Sequence, residues 1–553
     1  MLLSSLSIFA MFLFKIGTWI LLISLPLGIA YYFYLKHRST YFQRLGLPQP
    51  PITSTYLGNL EEFEKDHQQW ETLIKWQKIY GQTFGILLGA HRVIVTSDLD
   101  ILNEVYVKQF HTFQARMIHP SVALDQENGA QTNVFLGQGN RWKRLRSLFS
   151  ASLTISKIKA VDPIMKKAHN ELVEVLKRNE NGIIDVKPLI LDMTFAVISR
   201  SAMGINEEFG KSEFLQKIIN AFDRGETVHN FVASFFAGTY DFLFVTKYLQ
   251  ILHFFTTIRF AQEVRSKIGK VITERENENA EQKSQRHQDF LDFLREAQED
   301  NLDISNKPDF DTKIPKKLTR GELIGASQAF LVAGGDTTAT LITYCLYELA
   351  LHPELEQRVL EEINDHIKIE EDIDYNNVKN LEFLERFVKE AARLHPSAYL
   401  VPARRAIEPT TFQLSNGSTL HIERGTSRRA IEPTTFQRSD GSTLHIERGT
   451  CILPNIPAIT QDEKIWGKDA KEFNPDRFLP ENCESRHPMA FLPFGAGLRI
   501  CPGRNLAIYE IKATLTRLLL EYKFEFCNET KTKQITKATL GFEQLKMKVV
   551  PRK

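Results

Sequence analysis

A ten-residue segment near the C-terminus, Phe494–Gly503, surrounds one cysteine with glycines and a basic residue. Pro502 has no N–H donor and suits the first position of a helix, so we expect Cys501 to be the N-cap of that helix. The free N–H groups and positive dipole end of a helix start stabilise an anionic sulfur. Gly497 and Gly503 would let the chain turn tightly and let a flat ring approach the backbone. The segment predicts a thiolate ligand for haem iron, and the alternative is a buried free cysteine beside a glycine-rich turn.

The fixed positions of this segment, Phe-x-x-Gly-x-Arg-x-Cys-x-Gly, resemble the haem-binding signature of the cytochrome P450 family, and the chain matches every one of them. The resemblance implies that Cys501 is the axial ligand of the iron in haem b and that Gly503 lies against the macrocycle. It implies that Phe494 shields the sulfur from water and that Arg499 neutralises a haem propionate. It also implies a mainly α fold with a small β region.

A second motif lies on a helix predicted over Leu381 to Leu394, which places Glu390 and Arg393 on one face. Such a pair is often a surface ion pair. The resemblance implies instead a buried triad completed by Arg477, which stands 24 residues before Cys501. The triad would hold the loop that presents the cysteine, so its role would be structural and not catalytic.

The longest apolar helical stretch runs from Leu323 to Leu351 and opens with a capping box, Thr319–Glu322. Its interior contains the run Ala333–Thr338, whose two glycines cost a helix roughly 2 kcal/mol. The resemblance implies that the glycines let the helix bulge over the haem. It also implies that Asp336 relays protons and that Thr337 holds a water, with both side chains directed toward dioxygen. The alternative is a threonine hydroxyl that bonds back to the preceding turn.

A basic helical segment carries Trp142 and Arg146. The resemblance implies that both side chains reach a haem propionate, whereas Trp and Arg four residues apart often only stack on a surface. Arg141, Lys143 and Arg144 surround them. The resemblance implies that this basic face docks an acidic electron donor, and a solvated charged face is the alternative.

The N-terminus predicts a membrane anchor. The uncharged stretch from Ile16 to Leu35 is twenty residues, long enough to cross a bilayer, and basic residues follow it. We therefore predict an anchor over residues 1–38 with the span at about 16–35, a proline-rich hinge over 39–52 and a catalytic domain over 53–553. The positive-inside rule places that domain in the cytosol, at the endoplasmic reticulum membrane. A cleavable signal peptide is the alternative.

Composition agrees with a large folded domain. The chain has 553 residues, 43% of them hydrophobic, and a net charge of +2 that gives no sign of nucleic-acid binding. Its five scattered cysteines argue against a disulfide scaffold or a zinc site. Phenylalanines crowd between Phe231 and Phe255, where the resemblance places two helices above a substrate cavity. Core packing would explain the same stripe.

A tandem repeat departs from the family pattern. Arg404–Thr426 recurs as Arg428–Thr450, a shift of 24 residues with 21 of 23 positions identical. Each copy predicts a β-hairpin, and the family normally has one such unit. An arginine here usually reaches a haem propionate, so Arg404 is our candidate, with Arg405, Arg428 and Arg429 as competitors. If one copy enters the sheet, we expect the other to be extruded as a loop or to compete for the same strand positions. A duplication in the gene or an error in its assembly would both explain the repeat.

The resemblance implies a haem-thiolate monooxygenase that inserts one atom of O2 into an apolar small molecule, such as a steroid, lipid or xenobiotic. Electrons would come from NADPH through NADPH-cytochrome P450 reductase, with cytochrome b5 as an optional second donor. Two alternatives stay open. One is a haem-thiolate isomerase or dehydratase, and the other is a haem-binding or lipid-binding protein without turnover.

Overall fold

The computed structural model describes residues 18, 22, 24–89, 91–117, 132–207, 209–214, 216–217, 262–299, 316–407, 410–413, 419–422, 436–437, 443–444, 450–537 and 539–552. Within these residues the protein is mainly helical with a small β region, as predicted. The predicted phenylalanine-rich stretch from Phe231 to Phe255 lies outside them.

The described helices carry our labels in chain order. Helices α1 and α10 cover residues 24–39 and 262–276. The others are α2 Tyr41–Arg44, α3 Leu60–Glu64, α4 Gln69–Tyr80, α5 Leu99–Asn103, α6 Gly139–Ser152, α7 Ile155–Ala160, α8 Asp162–Lys177, α9 Val186–Ala202, α11 Ala280–Ser284, α12 Phe290–Arg295, α13 Arg320–Leu351, α14 Pro353–His366, α15 Tyr375–Val378, α16 Glu382–Leu394, α17 Ile456–Thr460, α18 Glu463–Trp466, α19 Pro480–Glu484 and α20 Arg504–Glu521.

The strands form one larger sheet and several small ones. They are β1 Thr83–Leu88, β2 His91–Thr96, β3 Ala115–Arg116, β4 Ile183–Asp185, β5 Arg404–Arg405, β6 Thr410–Gln413, β7 Thr419–Ile422, β8 Phe436–Gln437, β9 Thr443–Leu444, β10 Cys451–Pro454, β11 Tyr522–Glu525, β12 Gln534–Thr536, β13 Leu540–Phe542 and β14 Lys546–Pro551. The larger sheet has the order β1-β2-β10-β5-β3, with β10 parallel to β2 and antiparallel to β5. One hydrophobic core lies among α8, α9, α13, α16 and α20, and a second lies against this sheet.

The central helix α13 begins at the predicted capping box, because Thr319 Oγ1 accepts from the Glu322 N–H and the Glu322 carboxylate accepts from the Thr319 N–H. The helix continues without a break to Leu351, so the predicted bulge at the glycines is absent from this helix. The glycines serve close packing on α9 instead. A Cβ at Gly335 would lie 2.4 Å from the Phe195 ring, and one at Gly334 would lie 2.9 Å from Ile198.

The predicted hinge at residues 39–52 is packed onto the sheet. Tyr41 and Phe42 are buried, and a Cβ at Gly85 of β1 would lie 2.1 Å from the Phe42 ring. The Gly85 N–H donates to the Pro48 carbonyl over 2.9 Å. The proline content of the segment predicts a hinge and gives no indication of these buried aromatic side chains. The folded domain therefore extends at least as far toward the N-terminus as Tyr41.

The predicted membrane span at 16–35 begins outside the described residues, and α1 covers its second part. Among the described residues, α13 is long and apolar enough to cross a membrane. It is a core helix, because 78% of its most apolar stretch is buried in the protein.

Both copies of the repeat form hairpins with the same register. Phe412 pairs with Leu420 in β6-β7, and Phe436 pairs with Leu444 in β8-β9. Within the described residues, neither hairpin joins the larger sheet, whose strand β5 is Arg404–Arg405 of the first copy. The Ala406 N–H donates to the carbonyl of Thr450, the last residue of the second copy. Along the chain both hairpins fall between β5 and β10, which are neighbours in the sheet, so the expectation that one hairpin enters the sheet is wrong for the described strands.

Candidate haem site

Cys501 ends a tight loop that starts at Phe494. Its backbone N–H donates to the Phe494 carbonyl over 2.8 Å, which closes the loop. Gly497 has a φ of +64°, in the left-handed region that favours glycine. A Cβ at Gly497 would lie 2.0 Å from the backbone oxygen of Tyr106. Gly497 is therefore required both by the turn and by the close approach of a second segment.

The helix after Cys501 starts later than predicted. Helix α20 begins at Arg504 with Gly503 as its N-cap, so Cys501 is not the N-cap and Pro502 lies in a turn before the helix. A Cβ at Gly503 would meet the Cys501 sulfur at 3.9 Å, an ordinary contact, so the protein chain alone does not require this glycine. Cys501 is exposed at the protein surface, but the atoms packed around its sulfur partly desolvate the thiol and raise its pKa, and a hydrogen bond from the Gly503 N–H opposes that rise.

Two guanidinium groups, those of Arg116 and Arg146, act on the charge of this cysteine, and a third, that of Arg404, lies next to Arg116. The β3-β5 register places Arg116 opposite Arg404, and Arg116 and Arg146 both interact with the charge of Cys501. Burial lowers the pKa of all three arginines, and the charge of Arg404 lowers that of Arg116 further. Among the described residues, no carboxylate contributes to these shifts. The sequence prediction included Arg146 and Arg404 but missed Arg116.

Arg404, the predicted candidate from the repeat, is buried under the ring of Tyr106. Its guanidinium carbon lies 4.7 Å from that ring's centroid, and its Nη1 donates to the Pro402 carbonyl over 2.7 Å. Tyr106 donates its hydroxyl to the same carbonyl over 2.6 Å. Arg428 and Arg429, which correspond to Arg404 and Arg405 in the second copy, lie outside the described residues. The structure therefore places only the arginines of the first copy.

Arg499 has protein partners that the sequence did not predict. Its Nη1 and Nη2 donate to the carbonyls of Phe135 and Gly137 over 3.2 and 2.5 Å. Its guanidinium carbon lies 4.7 Å from the centroid of the Trp142 ring, which is buried. Arg499 thus connects the cysteine loop with α6 and the segment before it, in addition to any contact with a propionate. Phe494 is half-buried beside this loop.

Glu390, Arg393 and Arg477 form a buried cluster. Arg393 donates from Nε and Nη2 to the two carboxylate oxygens of Glu390 over 2.7 Å each, and Arg477 Nε donates to Glu390 Oε1 over 3.3 Å. Both members of the Glu390–Arg393 pair are 0% exposed, so the surface-pair alternative is wrong. Arg393 also donates to the Ala470 carbonyl over 2.7 Å. The cluster therefore ties α16 to the chain that leads into the cysteine loop.

The side chains of Asp336 and Thr337 form hydrogen bonds with different partners. The Thr337 hydroxyl donates to the Ala333 carbonyl over 2.6 Å, which is the back-bonding that the sequence left as the alternative. The Asp336 carboxylate is buried and accepts from the Thr539 hydroxyl over 2.8 Å. One oxygen of the Asp336 carboxylate is thus bonded to the residue before β13, and the predicted direction of both side chains toward dioxygen stays a prediction.

The predicted basic docking face on α6 is mostly interior. Arg141 and Arg144 are 2% and 4% exposed, and both donate to Glu322 Oε1, over 2.9 and 2.7 Å. Arg144 adds a bond of 2.8 Å to Glu322 Oε2. Burial alone would raise the pKa of Glu322, but the bonds and charge of Arg144 hold it below its ordinary value. Only Lys143 of the three predicted residues is exposed.

These residues fit a dianionic macrocycle with an anionic sulfur ligand. Arg404 is buried, and Arg116 and Arg146 are half-buried, so their guanidinium groups favour negative charge nearby, which two propionates would supply. Two apolar side chains of this region are exposed in the protein: Leu498 of the cysteine loop at 61%, and Val401, whose carbonyl accepts from Arg116, at 42%. Such side chains suit contact with a flat apolar ring. The site thus combines a sulfur ligand, cations for two carboxylates and an apolar wall.

Comparison with known proteins agrees with this chemistry. A family model described as cytochrome P450 matches residues 48–427 and 421–550, and the two segments overlap inside the repeat. The chain is similar to three Caenorhabditis elegans proteins. It is 30% identical over 525 residues to cytochrome P450 cyp-13B1, which covers 92% of this chain and 93% of the relative. It is 28% identical to CYP13A10 (91% and 92% covered) and 29% identical to CYP13A2 (96% and 98% covered). The chain therefore belongs to the cytochrome P450 family, whose members are generally haem-thiolate monooxygenases.

Proposed function

We propose that Cys501 is the axial thiolate of haem b and that the enzyme hydroxylates an apolar small molecule of the steroid, lipid or xenobiotic class. Bound haem would supply the oxygen chemistry, in which one atom of O2 enters the substrate and the other leaves as water with two electrons and two protons. The observation that carries this proposal is that Arg116 and Arg146 interact with the charge of Cys501, and that Arg404 lies opposite Arg116, while no carboxylate of the described residues contributes to the pKa shifts of these three arginines.

Each part of the site has a separate task in this proposal. Arg116, Arg146 and Arg404 bind the propionates, and the Gly503 N–H stabilises the sulfur anion. The Glu390 cluster holds the segment before the loop, as its buried bonds suggest. Thr337 donates its single proton to Ala333, which leaves its oxygen lone pairs to accept from a water. Asp336 is the carboxylate nearest to Thr337 in the chain and serves proton delivery.

We also propose that the protein is anchored in the endoplasmic reticulum membrane with its catalytic domain in the cytosol. The support is the surface of α1 together with Leu22, where large apolar side chains are exposed. Leu22 and Phe33 are 61% and 62% exposed, and Leu27 is 61% exposed. Arg38, at the other end of α1, is buried and donates to the Tyr56 carbonyl over 2.7 Å. An apolar surface of this kind favours contact with lipid.

NADPH-cytochrome P450 reductase is the proposed electron donor, with cytochrome b5 as an optional second one. Fewer basic residues support this proposal than the sequence suggested, because the Arg141 and Arg144 side chains are hydrogen-bonded to Glu322. Lys143 is the member of that group which a donor could reach. Rim charges of this kind act mainly on the rate of encounter.

The test is reconstitution of the full-length protein with haem, reductase and NADPH. We expect haem loading, a thiolate-type spectrum of the reduced carbon monoxide complex, and NADPH-dependent products from a panel of steroids, fatty acids and xenobiotics. Haem loading with rearrangement of a lipid peroxide but no NADPH consumption would favour an isomerase or dehydratase. Haem loading without either reaction would favour a binding protein, and a protein that takes up no haem would refute the proposal.

A further inference from the structure

A hydroxyl from the C-terminal hairpin contacts the carboxylate of Asp336. Thr539 lies in the turn between β12 and β13, and its Oγ1 donates to Asp336 Oδ2 over 2.8 Å. The same oxygen lies 3.1 Å from Thr340 Oγ1, one helical turn after Asp336 on α13. Asp336 and Thr340 are 8% and 4% exposed, so this contact is shielded from solvent.

The direction of both hydrogen bonds follows from the number of protons. A hydroxyl has one proton, and an ionised carboxylate can only accept. Since Thr539 gives its proton to Asp336, Thr340 must be the donor in the contact between the two threonines. The result is a directed chain from Thr340 through Thr539 to Asp336. Bonds in such a chain polarise and strengthen one another.

The hairpin that carries Thr539 is held in place independently of Asp336. The Leu540 N–H donates to the Ser397 carbonyl over 2.8 Å. The Thr536 hydroxyl lies 2.9 Å from the Tyr399 hydroxyl, and both residues are buried. Thr539 is therefore presented by a fixed support rather than by Asp336 itself. A fixed donor can set the direction of a carboxylate.

We propose that Thr539 is a positioning residue that orients the Asp336 carboxylate for proton delivery. The inference rests on the proposed monooxygenase function. Without the Thr539 donor, the carboxylate would lose a fixed bond and adopt other orientations. Proton delivery would then fail more often, and the electrons of NADPH would leave as hydrogen peroxide, with NADPH, O2 and one proton giving NADP⁺ and H2O2.

The experiment compares four variants of the full-length haem protein. Thr539→Val removes the donor, Thr539→Ser keeps it, and Asp336→Asn removes the charged acceptor. Thr536→Val is the matched control, because it loosens the same hairpin at Tyr399 without touching Asp336. Peroxide released per NADPH oxidised is measured with the reductase and with testosterone or lauric acid as the probe. This ratio is defined whether or not the probe is converted into product.

We expect a severalfold rise in the peroxide ratio for Thr539→Val and Asp336→Asn, and a ratio near the wild type for Thr539→Ser and Thr536→Val. A wild-type ratio in Thr539→Val, with a raised one in Asp336→Asn, overturns the inference but leaves the role of Asp336. An equal rise in Thr536→Val also overturns it, since loosening the hairpin would then suffice. A wild-type ratio in Asp336→Asn refutes the proton-delivery role itself.

A second measurement does not depend on turnover. Denaturant midpoints of the wild type, Thr539→Val, Asp336→Ala and the double variant form a double-mutant cycle, in which alanine is used because an asparagine amide oxygen could still accept from Thr539. We expect the Thr539→Val shift to be much smaller in the Asp336→Ala background. Equal shifts in both backgrounds would mean that the two side chains are not coupled, and this result would overturn the inference even if no probe is oxidised.

Discussion

Replacement of Glu322 by alanine should be among the most destabilising single changes in this protein. Glu322 is 0% exposed and accepts from both Arg141 and Arg144. Removing one partner of a buried ion pair leaves the other charge uncompensated and costs about 3–5 kcal/mol. Arg144 also donates to the Lys317 carbonyl over 2.5 Å, which offsets only part of this loss. Two arginines lose their partner here, so we expect the upper half of that range.

The conservative variant Glu322→Gln separates the charge from the shape. A glutamine side chain at this position would still fill the space and could take the N3 position of the capping box. Arg141 and Arg144 could still donate to the amide oxygen of a glutamine, but they would lose the negative charge and one of the two acceptor oxygens of Glu322. We therefore expect Glu322→Gln to lose about 2 kcal/mol. Lys143→Ala on α6 is the control, and it should stay within about 0.5 kcal/mol because Lys143 is exposed.

The assay is denaturant unfolding of the haem-loaded protein, together with the rate at which haem passes to apomyoglobin. Because α6 carries Trp142 and Arg146, loosening it should also speed haem loss. The pKa of Glu322 is lowered on folding, so its stabilising contribution is present above its unfolded value and is lost as pH falls through the folded value. The difference in the free energy of unfolding between the wild type and Glu322→Gln should therefore become smaller as the pH is lowered. If Glu322→Ala has the same free energy of unfolding and the same rate of haem loss as Lys143→Ala, the reasoning is refuted.

Three further predictions concern the site. Cys501→Ser should abolish the thiolate-type spectrum of the reduced carbon monoxide complex, because a neutral hydroxyl cannot replace the anion, and persistence of that spectrum would exclude Cys501 as the ligand. Lys143→Ala should slow reduction by the reductase at low salt and weaken its salt dependence, whereas an unchanged first-electron rate would return Lys143 to the solvated-face alternative. Deletion of Arg404–Ser427 should give equal or better haem incorporation and thermal stability, since Arg428 would follow Ala403 and take the β5 position; a deletion variant that fails to bind haem would show that both copies support the fold.

Contacts between residues that are close in the sequence were predicted better than contacts between residues that are far apart in it. The capping box at Thr319 was predicted because its two partners are three residues apart. The buried Glu390 pair was predicted from the resemblance, since spacing alone favoured a surface pair. Arg116 was missed because it lies in a two-residue strand without periodicity, and only its register opposite Arg404 reveals it. Arg141 and Arg144 were misplaced because their partner is more than 170 residues away.

The sequence by itself determined the chemistry that is local in the chain. The Phe494–Gly503 segment contains both the cysteine and Gly497, at which the loop turns, so the ligand and its turn could be predicted together. The tertiary structure alone decided which charges surround that ligand, and that the glycines of α13 pack against α9. It also decided that both repeat hairpins stay outside the sheet and that Asp336 is bonded to Thr539. These outcomes depend on burial and on contacts between distant segments, which a one-dimensional pattern does not encode.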